Sequence, residues 1–198
     1  MAAKSKLVIA AFDFDETLIL KDTLPDFLLH SFSLPRFLVG CIRALPMLIK
    51  FKTNKITNEQ AKTRLLTIFL RGMPLTVFDK LCSDYLQRLN KITRGSMVEI
   101  LQTHQKSKHK TIIISASPRN WILPWANEHG VDEVISTELE VVDGILTGKL
   151  STPNCHGAEK VRRLKRAYPN LDAYKLVVYG DGKSDKELFN IADKHTVV

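Results

Sequence analysis

Apolar positions along the chain fall into short runs that alternate with amphipathic stretches. Residues 7–14 are almost wholly apolar up to Asp13, the pattern of a strand buried on both faces. Residues 18–93 read as helical, cut by Pro25, Pro35, Pro46, Gly72 and Pro74. Within them Thr57-Asn58-Glu59-Gln60 opens a helix through Leu65, Leu66, Phe69 and Leu70, and residues 75–89 form another. Residues 96–106 are amphipathic through Met97, Ile100 and Leu101 and lead into an apolar strand at 111–115. A helix at 121–129 ends at Gly130, and a short strand follows at 134–135. Residues 139–142 and 145–149 flank Asp143-Gly144 as a hairpin. A basic helix at 158–167, a strand at 175–179, a helix at 184–192 and a strand at 195–198 complete the chain. Strand and helix alternate and the strands end in polar clusters, which predicts an α/β fold with a doubly wound parallel sheet. In such sheets ligands bind beyond the carboxyl ends of the strands. There is no internal repeat and no low-complexity tract.

Composition narrows this picture. The 198 residues suffice for one core domain plus an insertion. With 44% apolar and 25% charged residues the chain is not a disordered tail. Cys41, Cys82 and Cys155 lack paired spacing, so neither a disulfide framework nor a zinc site is expected, which suits a reducing cytoplasm. The opening residues lack the length and cleavage site of a secretory signal. Residues 27–51 are rich in Leu, Phe, Ile and Val, but Arg36, Arg43 and Lys50 interrupt them and Pro35 and Pro46 break them. A spanning helix needs about 20 mostly apolar residues, so no span is expected; a segment lying on a membrane surface stays open.

The strand ends carry the candidate chemistry. The first reads Phe12-Asp13-Phe14-Asp15-Glu16-Thr17, and strand alternation sends Asp13 and Asp15 to one side. Two carboxylates at a buried strand mouth repel unless a cation or proton stands between them. The competing reading, a helix-capping Asp, does not explain the apolar strand that leads into the pair. The strand at 175–179 ends Gly180-Asp181-Gly182-Lys183-Ser184-Asp185, again with two carboxylates, though a flexible turn has the same look. The strand at 111–115 ends in Ser115, a phosphate donor or a helix cap. Lys160 opens the basic helix and by itself reads as part of a solvated face.

Together and in this order, Asp-x-Asp-x-Thr, Ser, Lys and Gly-Asp-x-x-x-Asp resemble the haloacid dehalogenase-like phosphohydrolase superfamily. The branch is the one with a helical cap inserted after the first motif, which includes phosphoserine phosphatases. The hairpin sequence from Val142 to Lys149 matches that branch. Two positions depart from it: Glu16 stands where members often have Gly or Ser, and Ser115-Ala116-Ser117 replaces the Ser-Gly-Gly of phosphoserine phosphatases, which argues against phosphoserine as substrate. The resemblance implies a Rossmann-like core of residues 1–16 and 96–198 with a cap at 17–95. It further implies a Mg²⁺-dependent phosphomonoesterase working through an aspartyl-phosphate. Asp13 would be the nucleophile and Asp15 the general acid, then base. Asp13, the backbone carbonyl of Asp15, and Asp181 would hold Mg²⁺, with Asp185 at the edge. Ser115 and Lys160 would bind the phosphoryl oxygens, and Thr17 would support the turn by hydrogen bonding. Asp22 and Arg64 fall near the family's substrate contacts.

Charge then acquires a location. The formal net charge is +8, and residues 17–95 hold 13 Lys and Arg against 5 Asp and Glu, so the whole excess lies in the cap. Arg36, Arg43 and Lys50 recur every seven residues, on one face if the helix survives Pro46. The readings are a solvated surface, steering of an anionic phosphorylated small molecule, or peripheral docking on anionic lipid at the inner face of the membrane. A phosphatidylglycerophosphate-like phosphatase is the runner-up function. A non-hydrolytic phosphoacceptor module of the receiver type and a nucleic-acid binder are weaker: the former needs no leaving-group acid, and no recognition motif supports the latter. A cytoplasmic enzyme without a nucleic-acid partner is expected.

Overall fold

The apolar run after Lys6 becomes β1 (Leu7–Phe12), and four helices follow it: α1 (Thr23–Ser31), α2 (Leu34–Lys52), α3 (Asn58–Leu70) and α4 (Leu75–Lys91). Then come α5 (Gly95–Lys106), β2 (Lys110–Pro118), α6 (Arg119–Glu128) and β3 (Glu133–Thr137). A hairpin of β4 (Leu139–Val142) and β5 (Ile145–Leu150) precedes α7 (Ala158–Ala167), β6 (Tyr174–Gly180), α8 (Lys186–Ile191) and β7 (Lys194–Val197). This computed structural model describes residues 6–182 and 184–198. The opening residues weighed as a leader, and Lys183 of the second acidic motif, lie outside the described residues.

Five strands form one parallel sheet in the order β3-β2-β1-β6-β7. β1 sits at its centre, which is why its sequence is apolar on both faces. Ala10 and Phe12 point into one core layer, while Ile9 and Ala11 point into the other. The first layer is continued by Phe27, Phe69, Phe78 and Trp121 of the helices. The second is closed by Leu164 of α7 and Leu188 of α8. These are the three layers expected of a doubly wound fold.

The helices α1–α4 share the first core layer rather than standing apart. The Phe27 ring stacks on Trp121 of α6 at 4.6 Å between centroids. Asp26 of α1 accepts from Arg88 Nε and Nη2 of α4 at 3.0 and 2.8 Å. The β4–β5 hairpin turns on Asp143 and Gly144, both with positive φ, as the Asp-Gly pair predicts. It straps the helices from outside: Gly72 N donates to Leu146 O and Leu146 N to Met73 O, each at 2.9 Å. Gly148 (φ +79°) lies so close to α3 that a Cβ would sit 2.4 Å from Thr67 Cα.

Two expectations change. Pro46 does not break α2, which runs through it. Proline removes the donor for the Ile42 carbonyl, but both residues lie on the exposed side, where water can take that carbonyl. Pro35 sits in the first turn of α2, where the missing N–H costs nothing. The first strand also ends sooner than expected. After Phe12 the chain winds into a tight turn at Phe14–Leu18, with Glu16 in the left-handed region at φ 56°. Strand alternation therefore explains the chain only to Phe12. Among the described residues no helix is long and apolar enough to cross a membrane.

Candidate active site

The sheet order places the carboxyl end of β1 between those of β2 and β6, so three sequence motifs converge there. Asp13 continues the ladder, its N–H donating to Tyr179 O at 2.9 Å. Its side chain is buried, with Oδ1 accepting from Phe14 N at 2.7 Å and pairing with Lys160 Nζ at 2.9 Å. Lys160 is fully buried and reaches Asp185 Oδ1 at 2.6 Å and Ser184 Oγ at 3.2 Å. The reading of Lys160 as one more exposed charge on a basic helix is thereby excluded, and Asp185 is a fully buried partner rather than an edge residue. Burial pushes the Asp13 carboxyl up to about 7; Lys160 opposes this, and Asp185 and Asp15 reinforce it. Burial also pulls on the Lys160 ammonium, but Asp13 and Asp185 outweigh it and hold its pKa above the usual lysine value.

Asp15 is oriented by another set of partners. Its Oδ1 accepts from Thr23 N at 2.7 Å and its Oδ2 from Ser117 Oγ at 2.6 Å. Ser115 Oγ stands 3.5 Å from the same oxygen and accepts from Ser117 N at 3.0 Å. Ser115 is fully buried behind the site, and Ser117, also buried, lines the cavity. Thr17 does not hold the turn through its hydroxyl: buried Thr17 Oγ1 has no hydrogen-bond partner among the described residues. The turn is tied instead through backbone carbonyls, since Arg94 donates to Thr17 O and Glu16 O at 3.0 Å each.

Asp13, Asp181 and Asp185 bring one oxygen each within 4.8 Å of one another. Buried Asp185 Oδ2 has no hydrogen-bond partner among the described residues. It packs against Gly180, where any Cβ would meet it at 2.3 Å, so glycine there is a steric requirement. An all-oxygen set with an orphaned carboxylate oxygen fits a hard divalent cation such as Mg²⁺.

A cavity of about 450 Å³ opens above this cluster. Asp13, Asp15 and Asp181 form its floor, and Met47, Leu48 and Phe51 of α2 form an apolar wall. Asp22 lines it while capping α1 through Leu24 N at 2.9 Å. Arg64 does not: it is exposed on α3 beside Arg43 and Lys50. Lys62, two residues earlier, is the cation at the mouth. Its Nζ donates to Ala116 O at 2.9 Å and Asn154 Oδ1 at 3.0 Å. Burial lowers its pKa, while Asp15 and Asp22 act in the opposite sense. His156 also lines the cavity; burial, then Lys160 and Lys62, lower its pKa. Nothing in the sequence singles out Lys62, because only the fold turns that face of α3 toward Ala116.

Comparison with known proteins adds a family. The model of the haloacid dehalogenase-like hydrolases matches residues 10–190. Protein CicA of Caulobacter vibrioides is 30% identical over 189 residues, covering 94% of this chain and 84% of that protein. Phosphoserine phosphatase SerB2 of Mycobacterium tuberculosis is 31% identical over 125 residues, covering 62% of this chain and 29% of its own length. A crystal structure of a Bordetella pertussis protein of unknown function superposes with a TM-score of 0.83 at 20% identity, covering 98% of this chain and 90% of that one.

Proposed function

The chain belongs to the haloacid dehalogenase-like hydrolase family and is a phosphatase of that family, and we propose that it hydrolyses phosphomonoesters through a covalent phosphate on Asp13. The observation that carries the reading is the Asp13 carboxylate, buried at the cavity floor, paired with Lys160 at 2.9 Å and beside Asp15. An Asp13 oxygen attacks phosphorus as the ester P–O bond breaks, and the Asp15 carboxyl gives its proton to the departing alkoxide. Asp15 then takes a proton from water as that water attacks phosphorus, and the bond to Asp13 breaks to release phosphate. Lys160 and Ser115 offset and orient charge on the phosphoryl oxygens. Asp13, Asp181 and the Asp15 carbonyl would hold Mg²⁺, with Asp185 completing the acidic cluster. The ion supplies neutralisation of phosphoryl charge. Residues 17–95 serve as the cap over the cavity.

The substrate on this reading is an anionic phosphorylated small molecule. Ala116 lines the cavity where phosphoserine phosphatases have glycine, which argues against phosphoserine itself. A phosphate ester carried on a lipid is the second reading, favoured by the apolar wall of Met47, Leu48 and Phe51.

The test is turnover of p-nitrophenyl phosphate with Mg²⁺, by wild type and by Asp13→Asn, whose fold is checked by circular dichroism. Complete loss in the variant and in EDTA is expected. Retained turnover in Asp13→Asn overturns the nucleophile, and activity indifferent to EDTA overturns the metal. A screen of phosphoserine, sugar and nucleotide phosphates and phosphatidylglycerophosphate then separates the two substrate readings.

A further inference from the structure

The outer face of α2 is apolar and unpartnered. Sixteen large hydrophobic side chains are strongly exposed among the described residues, and eight of them lie on this one helix. Scattered exposed apolar residues are normal; a concentration on a single element marks a docking surface. Leu34, Leu38, Ile42, Leu45 and Ile49 are 52–65% exposed, and their spacing of four, four, three and four places them in one stripe.

The helix is firmly seated by its opposite face. Gly40 lies against the Phe69 ring so closely that a Cβ would meet it at 2.2 Å. Arg36 Nη2 donates to Phe69 O at 3.0 Å, and its guanidinium lies 4.4 Å over the Phe32 ring. The exposed stripe is therefore what remains after α2 has packed.

Charge identifies the occupant. Arg43 and Lys50 flank this face on the side of α3, and Lys52 and Lys55 lie at its C-terminal end. No Asp or Glu occurs anywhere in residues 27–58. An antiparallel second copy pairing on this face by a two-fold axis would bring the Arg43–Lys50 flank against itself, with no carboxylate of residues 27–58 to offset it. An apolar stripe bordered only by cations fits an anionic lipid surface.

We propose that α2 is an interfacial helix that docks the protein on anionic phospholipid bilayers, with Leu34, Leu38, Ile42, Leu45 and Ile49 inserted among the acyl chains. Arg43, Lys50 and Lys52 contact the headgroups. Docking does not depend on the phosphatase chemistry. Its consequence does: α2 also forms the cavity wall through Met47, Leu48 and Phe51, so the docked enzyme opens beside the headgroup layer.

The full chain is sedimented with vesicles rich in phosphatidylglycerol and, separately, with pure phosphatidylcholine vesicles. Binding to the former, weak binding to the latter, and weakening between about 0.1 M and 1 M salt are expected. Each basic side chain near the surface is worth about five-fold, so Arg43→Gln/Lys50→Gln lowers binding about 25-fold. Ile42→Gln/Ile49→Gln lowers it about 100-fold, at about ten-fold per lost apolar side chain. Both changes are exposed and outside the cavity, so melting temperature stays at the wild-type level, and the uncharged Ile42→Gln/Ile49→Gln change also leaves p-nitrophenyl phosphate turnover there. Three results overturn docking: no sedimentation with phosphatidylglycerol, equal sedimentation of the Ile variant, or a wild-type dimer that the Ile variant dissociates. Normal turnover alongside any of these leaves the phosphatase reading standing; absent turnover with intact vesicle binding sinks only the phosphatase reading.

Discussion

Replacing Lys160 by methionine removes an ammonium while nearly preserving side-chain length. The structure sets the size of the effect. Lys160 Nζ lies 2.9 Å from Asp13 and 2.6 Å from Asp185, and none of the three side chains is more than slightly exposed. At an effective dielectric of about 20, unit charges about 2.8 Å apart attract by about 6 kcal/mol, and desolvation of the ions consumes much of that. Without the lysine, two buried carboxylates face each other with no ion-pair partner among the described residues to offset them. Breaking such a pair costs about 3–5 kcal/mol. For a chain of this size that lowers the melting temperature by about 6–20 °C, at about 2–4 °C per kcal/mol. Urea unfolding in EDTA measures the change in stability directly. Adding Asp185→Asn removes one of the stranded charges, so Lys160→Met/Asp185→Asn is less destabilised than the two single variants summed, by about 2–3 kcal/mol. A Lys160→Met protein within about 1 kcal/mol of wild type, or strict additivity in the cycle, would refute the view that this lysine neutralises the cluster.

Other consequences follow from particular contacts. Gly148→Ala combines a positive φ with a backbone clash against Thr67, and is expected to cost about 2–5 kcal/mol by thermal unfolding; a loss below about 0.5 kcal/mol contradicts the packing of the hairpin on α3. Asp26→Asn breaks the bidentate pair with Arg88 at a cost of about 1–2 kcal/mol at pH 7, less than for a buried pair because Arg88 is partly exposed. Hydrogen bonding from Arg88 holds the Asp26 carboxyl below its usual 3.8, so its contribution is full above pH 3.8 and is lost as pH falls through the lower native value. The gap between wild type and variant should thus be flat from about pH 5 to 8 and close below about pH 4; a gap that widens in acid reverses the assigned sign. Lys62→Met removes the cation at the cavity mouth and should raise KM for p-nitrophenyl phosphate about ten-fold with little change in kcat. An unchanged KM removes Lys62 from substrate attraction.

The sequence reveals most where local rules and the fold agree. Asp13 and Asp15 stand out at the end of an otherwise apolar strand, whereas Asp181 gains its meaning only from the order of the motifs taken together. The Asp143-Gly144 turn and the Thr57–Gln60 capping box obey short-range chemistry and appear in the structure, the box with both reciprocal bonds formed. Glu16 departs from the Gly or Ser common in the family, and the structure places it at φ 56°, where glycine is free of strain. What fails to show depends on tertiary context. Pro46 reads as a helix breaker because its cost is local, whereas the packing of α2 through Gly40 and Met47 that outweighs it is not. Arg64 and Lys62 lie two residues apart, about 200° around α3, so the two point to different sides of the helix and only the fold shows that Lys62 faces the cavity.

The location of the charge excess bears on the chemistry itself. Asp13, Asp15, Asp22 and Asp181 line the cavity and Asp185 lies just beneath them, while Lys160 and Lys62 are the cations of the described chain closest to that cluster. Such a site carries net negative charge and repels the phosphate ester it is proposed to cleave. A divalent cation held by the acidic cluster relieves the repulsion at the reacting atoms, where Coulomb effects are strongest. It does little for the approach, because screening confines its field to about 10 Å at moderate salt. Of the thirteen Lys and Arg of residues 17–95, Lys62 lines the cavity, and the others act over that outer distance. An acidic floor and a basic surround are thus complementary. The first assembles the catalytic charges, and the second brings an anion, free or presented on an anionic surface, to a site that would otherwise turn it away.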